Sequence, residues 1–146
     1  MREDLPLSLT LEVRDRCLCL HAQRAARALA RRFDRAFKPF GLTNGQYSLM
    51  VALNRPEPPR MADLAPFLAM DRTTLTAALK PLVRRGLVEV IADEQDARAR
   101  RLLLTEAGRD LLAQAVPVWR ATHDAVDREM AGRDLAGLKD DLLALS

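Results

Sequence analysis

The chain has 146 residues, 49% apolar, 29% charged and 4% aromatic, with 23 Lys and Arg against 20 Asp and Glu for a net charge of +3. That length suits one domain with a real core, and so few aromatic rings disfavour the base-stacking platforms of many single-strand and RNA binders. Cys17 and Cys19 cannot make a disulfide framework, the charged N-terminus lacks a signal-peptide core, and no stretch approaches the roughly 20 apolar residues of a membrane span, so a cytoplasmic location with no membrane contact is expected.

Charge is unevenly spread: net +4 over residues 1–40, +2 over 60–101 and −3 over 105–146. The middle can therefore face a polyanion, and the C-terminal third is poorly suited to it. In chain order, residues 1–9 read as a loose arm. One long helix is predicted from about Leu11 to Phe37, because Leu18, Ala22, Ala25, Leu29, Phe33 and Ala36 keep a three/four spacing on one face while Arg24, Arg27, Arg31 and Arg35 run along another. Pro39 and Gly41 end it. Thr43 is placed to N-cap a second helix through about Asn54. The segment Arg55–Arg60 (RPEPPR) is a rigid proline connector.

Met61–Leu68 is predicted as a short helix and Ala69–Met70 as a turn. Asp71 caps a following helix that ends near Arg85–Gly86, where glycine supplies a left-handed C-cap. Pro66 and Pro81 fall inside these two helices, so a kink or a delayed start is expected. Leu87–Ile91 and Arg101–Thr105 read as two strands around a charged loop, residues 92–100 (ADEQDARAR). Thr105 caps a long helix from Glu106 to about Ala131, with a bend at Pro117. After Gly132, Asp134 caps a last helix carrying a Leu135, Leu138, Leu142 and Leu145 stripe.

The informative stretch is Met70–Thr105. Leu75, Leu79 and Leu82 form the apolar back of one helix, and Arg72, Thr73, Thr74, Thr76 and Lys80 lie off that stripe. Such a front can bond to base edges and phosphates in a major groove, and an arginine-tipped hairpin beside it can reach the flanking minor groove. The fold class expected is mainly α with a small β wing: a winged helix-turn-helix over residues 41–105, with a helical dimerisation lobe built from residues 1–40 and 106–146 in one 1–146 domain. Three outer helices carry apolar stripes that a thin winged helix cannot cover, so a two-fold homodimer is expected, which suits a palindromic double-stranded DNA operator.

The segments GLTNGQYSLMVAL (41–53), DRTTLTAALKPLVRRGLVE (71–89) and DEQDARARRLLLTEAGRDLL (93–112) resemble the MarR family of bacterial transcriptional regulators. Most distinctive is Asp96-x-Arg98 followed by Leu102-x-Leu104-Thr105-x-x-Gly108-x-x-Leu111. The resemblance implies a homodimeric repressor or activator with a pocket between its dimer and DNA lobes, where small molecules, often phenolic, alter DNA affinity. It makes Arg98 the wing-tip arginine of the minor groove, and Asp96 the carboxylate that fixes the Arg98 guanidinium. Arg100 shares the wing. One branch of the family senses organic hydroperoxides through a cysteine near the start of its first helix. Cys19 falls there in an ungapped alignment, with Gln23 and Phe33 where that branch keeps tyrosines. Those departures favour reading Cys17 and Cys19 as small residues in a packed dimer helix.

Cys17 and His21 share a helical face, but two ligands make no metal site, and neither metal nor cofactor is expected. With no phosphate loop, His-x-x-x-His pair or nucleophile elbow, the chain is not read as an enzyme. A winged helix used only for protein contact is the remaining alternative. The arginines of the wing and the Arg72/Lys80 front argue against it.

Overall fold

A computed structural model describes residue 2, residues 4–96 and residues 98–146. The chain runs α1 (Leu7–Arg16), α2 (Leu18–Phe37), a 3-10 turn (Lys38–Phe40), α3 (Asn44–Leu53), α4 (Met61–Phe67), α5 (Arg72–Arg84), β1 (Val88–Ala92), β2 (Arg100–Leu104), α6 (Glu106–Glu129) and α7 (Leu135–Leu143). The expected mainly helical winged helix is present.

The N-terminus corrects two expectations. Residues 7–9 are helical rather than part of an arm, and the long first helix is two helices broken at Cys17, whose ψ of 98° leaves the helical region. The Cys17 Sγ accepts the Leu20 N–H at 3.3 Å, so the thiol takes the place of the usual Ser or Asp cap of α2. A cysteine inside an apolar helical pattern gives no cap signal, which is why periodicity alone joined the two pieces.

The other caps fall where side-chain chemistry puts them. Thr43 and Gln46 form a reciprocal capping box at the start of α3 (3.2 and 3.0 Å). Thr105 Oγ1 accepts the Gly108 N–H at 3.0 Å, and Asp134 accepts the Gly137 N–H at 2.9 Å. Pro66, Pro81 and Pro117 all lie inside continuous helices. Between α4 and α5, Ala69 adopts φ +49°. The Met70 N–H reaches the Ala65 carbonyl at 2.9 Å and the Ala69 N–H the Pro66 carbonyl at 3.1 Å, a Schellman ending with alanine in the place glycine usually fills. The Cβ there costs about 1 kcal/mol.

β1 and β2 pair antiparallel with Val88 opposite Leu104 and Ala92 opposite Arg100, one residue away from the expected limits. The proline connector joins this hairpin. Arg60 bridges to Arg101, and the Leu102 N–H donates to the Pro59 carbonyl at 3.0 Å. The core gathers Phe33 and Phe37 of α2, the inner faces of α3 and α5, Leu102 and Leu104 of β2, and Leu112 and Ala115 of α6. The Phe37 and Tyr47 rings stack at 4.4 Å. By contrast α1 and α7 bury no residue, and Leu7, Leu11, Val13, Leu138 and Leu142 stand exposed.

Candidate nucleic-acid interface

The interface starts from the way α5 is pinned. Leu75, Leu79 and Leu82 are buried, which turns the opposite side of the helix outward. Asp71 accepts the Thr74 N–H at 2.8 Å and the Thr74 hydroxyl at 2.7 Å. Those two bonds, the hydroxyl foremost, hold the Asp71 carboxyl below the usual carboxylate range. Arg72, Thr73, Thr76 and Lys80 then line one shallow surface depression with Ala77. Four of the five expected helix residues are thereby brought together. Thr74 stands apart from them, its hydroxyl proton committed to the cap. The Thr76 hydroxyl donates to the Arg72 carbonyl at 2.7 Å, which leaves its oxygen free only to accept. Among the described residues Arg72 and Lys80 have no ion-pair partner, so their charge is available to a ligand.

The wing is organised by a residue that sequence reading missed. Asp93 is 4% exposed. Its carboxylate accepts Arg60 Nε at 2.8 Å, Arg101 Nε at 2.7 Å, and the backbone N–H groups of Gln95 (2.8 Å) and Asp96 (3.1 Å). The Arg60 guanidinium, then the Gln95 amide, then Arg101 and the Asp96 amide hold the Asp93 carboxyl far below its ordinary range, against the opposing effect of burial. Arg101 also donates to the Pro58 carbonyl at 2.8 Å. It is therefore spent inside the wing and is not an outward cation like Arg98. Asp93, Glu94 and Asp96 share one loop, and nothing in their spacing marks the first as the buried one.

Asp96 acts on Arg98 differently from the expectation. Its Oδ1 accepts the Arg98 backbone N–H at 2.9 Å, which closes the tip as a local turn. The Arg98 guanidinium has no ion-pair or hydrogen-bond partner among the described residues and is exposed. Arg100 is exposed, and its Nη1 donates to the Ala99 carbonyl at 3.0 Å. Beside the α5 front runs an apolar groove lined by Met61, Leu79, Val83 and Val90, with Thr76 and Lys80 on its rim.

The cysteines lie elsewhere. Cys17 is half-buried at the α1–α2 joint, and Cys19 is exposed and accepts Gln23 Nε2 at 3.1 Å. His21 Nδ1 lies 2.9 Å from the Cys17 carbonyl oxygen. No helix among the described residues is long and apolar enough to cross a membrane.

Comparison with known proteins agrees with this geometry. The sequence profile of the MarR family matches residues 42–99. The transcriptional activatory protein BadR of Rhodopseudomonas palustris is 37% identical over 98 residues, 63% of this chain. That match spans little more than half of the curated relatives' own length, 55% of BadR and 56% of the regulator YybA of Bacillus subtilis. The M. tuberculosis transcriptional regulator MosR, solved in complex with DNA, is 39% identical with a TM-score of 0.80, covering 88% of this chain and 92% of MosR. The transcriptional repressor CouR, solved on a 23-mer DNA duplex, is 27% identical with a TM-score of 0.74 and covers 92% of each chain. A winged helix with an open cationic face, matched over nearly the whole length of MosR, leads to one assignment: the chain belongs to the MarR family of winged-helix, DNA-binding transcriptional regulators.

Proposed function

We propose that the protein is a homodimer that binds a palindromic double-stranded operator as a repressor and leaves it when a small aromatic or phenolic ligand binds. The observation that carries the reading is the convergence of Arg72, Thr73, Thr76 and Lys80 on one outward depression of α5, with two of those side chains cationic and unpaired among the described residues. In this reading α5 enters the major groove, Thr74 braces the Asp71 cap by donating to its carboxylate, and Arg98, with Arg100 behind it, enters the adjoining minor groove. Asp96 serves by shaping the tip. The uncovered leucines of α1 and α7 support a second copy as the cover for both chain ends. The apolar groove next to Thr76 and Lys80 is a seat where a flat ligand would compete with DNA for the same helix.

Arg98→Ala tests the wing. In a mobility-shift titration on a palindrome-containing promoter fragment, the variant is expected to bind at least about tenfold more weakly, with unchanged circular dichroism and a shallower salt dependence. Undiminished binding would remove the minor-groove role.

A second reading, oxidant control through cysteine, has one observation in its favour. The Cys17 sulfur is the cap of α2, so its oxidation to a sulfenic acid by a hydroperoxide, which is reduced to the alcohol, alters the joint between two helices of the dimer lobe. An organic hydroperoxide should then lower wild-type DNA binding several-fold and spare Cys17→Ser, whose hydroxyl keeps a cap acceptor. Equal sensitivity of the two proteins excludes Cys17 as the sensor.

A further inference from the structure

The last turn of the reading helix is fastened to a distant part of the chain. Arg85 is the C-cap of α5. Its Nη1 donates to the Gly41 carbonyl at 2.7 Å and its Nη2 to the Phe40 carbonyl at 2.9 Å. These two carbonyls belong to the elbow between α2 and α3, where Gly41 turns with φ +62°. Carbonyls at a helix end lack intrahelical partners, and a planar guanidinium fork meets two of them at once in fixed geometry, whereas a flexible ammonium with three rotatable donors sets no such angle. The fork lies against Gly41, so that a Cβ there would meet guanidinium atoms at 3.5–3.7 Å.

The elbow itself has little freedom. Phe37, just before it, is fully buried, and Leu42, just after it, is 4% exposed. The Leu42 N–H donates back to the Phe37 carbonyl at 3.4 Å. From the other side, Asp34 of α2 accepts the N–H of Asn44, the first residue of α3, at 2.7 Å. The α2–α3 elbow is therefore held from both sides: Asp34 and the Phe37–Tyr47 stack join α2 to α3, and Arg85 of α5 grips the Phe40 and Gly41 carbonyls. The second tie is the one that reaches the DNA-facing helix. Nothing in the front of α5 needs Arg85, and Arg85 is absent from the depression that gathers Arg72, Thr73, Thr76 and Lys80.

We propose that Arg85 is a positioning residue: by clamping the end of α5 to the Phe40–Gly41 elbow it fixes the angle between the reading helix and α2, and so sets the half-site spacing that the dimer accepts. This rests on the two-reader operator binding proposed above. Consecutive base pairs advance a half-site by about 3.4 Å and rotate it by about 35°, so a reader held at one angle should reject an operator that is one base pair too long or too short.

The experiment uses a palindromic duplex selected by the wild-type protein from a random library, and two derivatives with one base pair inserted or removed at the centre. Binding is read by fluorescence anisotropy at one fixed salt concentration. The wild type is expected to prefer its own spacing by at least about tenfold. Arg85→Ala should shrink that preference to about twofold while holding the two altered duplexes about as well as the wild type does, and Arg85→Lys should fall between them. An unchanged preference, or an equal loss on all three duplexes, overturns the proposal, since a merely stabilising or phosphate-contacting arginine would do the latter. Should the wild type select no palindrome, the operator reading fails. The clamp is then judged by hydrogen exchange of the Gly41, Leu42 and Asn44 amides: faster exchange in Arg85→Ala upholds it, and unaltered exchange overturns it.

Discussion

Gly108→Ala is expected to lower folding stability by roughly 2–3 kcal/mol, at the upper part of the range for overpacking. A Cβ at residue 108 would lie 2.2 Å from the Leu87 carbonyl oxygen and 2.8 Å from Leu104 Cδ1. The first of these is main chain and already engaged, for the same oxygen accepts the Thr105 N–H at 3.1 Å. Thr105 in turn donates its hydroxyl to the Gly86 carbonyl at 2.7 Å while capping α6. The residue before β1, the end of β2 and the first turn of α6 thus meet at one point, and the methyl group can be admitted only by prising α6 away from the strand. Urea unfolding with an unchanged slope should show the loss, and the thermal midpoint should fall by roughly 4–12 °C. A change below about 0.5 kcal/mol would show that the contact relaxes freely.

The second large effect is expected at Asp93. Its removal leaves the guanidinium groups of Arg60 and Arg101 without their shared anion and frees the Gln95 and Asp96 amides, so the loop holding Arg98 and Arg100 loses its anchor. Asp93→Ala should therefore weaken operator binding more than the roughly tenfold expected of Arg98→Ala, because both wing cations are displaced together. Trypsin should also cut selectively within residues 98–101 while the helical circular dichroism persists. The pH dependence follows from the direction of the shift. The folded carboxyl titrates below the ordinary Asp value of about 3.9, so its contribution is complete above that value and is lost as the pH falls below about 4 through the lower folded value. Wild-type stability minus that of Asp93→Asn should be flat from pH 7 to pH 5 and decline only below about pH 4. A difference that shrinks between pH 7 and pH 5 would contradict the ion-pair account.

Local chemistry was readable and distant chemistry was not. Thr43, Asp71, Thr105 and Asp134 announce their helices because a short oxygen-bearing side chain ahead of an apolar period has one economical use. The Leu75, Leu79 and Leu82 stripe likewise shows which side of α5 faces outward. The Asp93 hub draws on Arg60, 33 positions away, and the Arg85 clamp on Gly41, 44 positions away. Such pairs leave no period in the sequence. Pro66, Pro81 and Pro117 each remove one backbone donor, yet none of them ends its helix, because packing of the apolar faces carries α4, α5 and α6 past them. Asp96 bonds the Arg98 main-chain amide and not its guanidinium, since a side chain two residues away reaches the backbone more readily than the end of a flexible side chain.

The leucines of α1 and α7 that stand exposed in a single copy have a thermodynamic corollary. If pairing is what removes them from water, then completing the fold and finding a mate are one equilibrium, and the melting temperature must climb with protein concentration. A factor made in few copies per cell would then have its lifetime set partly by its own abundance: dilution alone leaves greasy helices bare and hands the solitary chain to proteolysis.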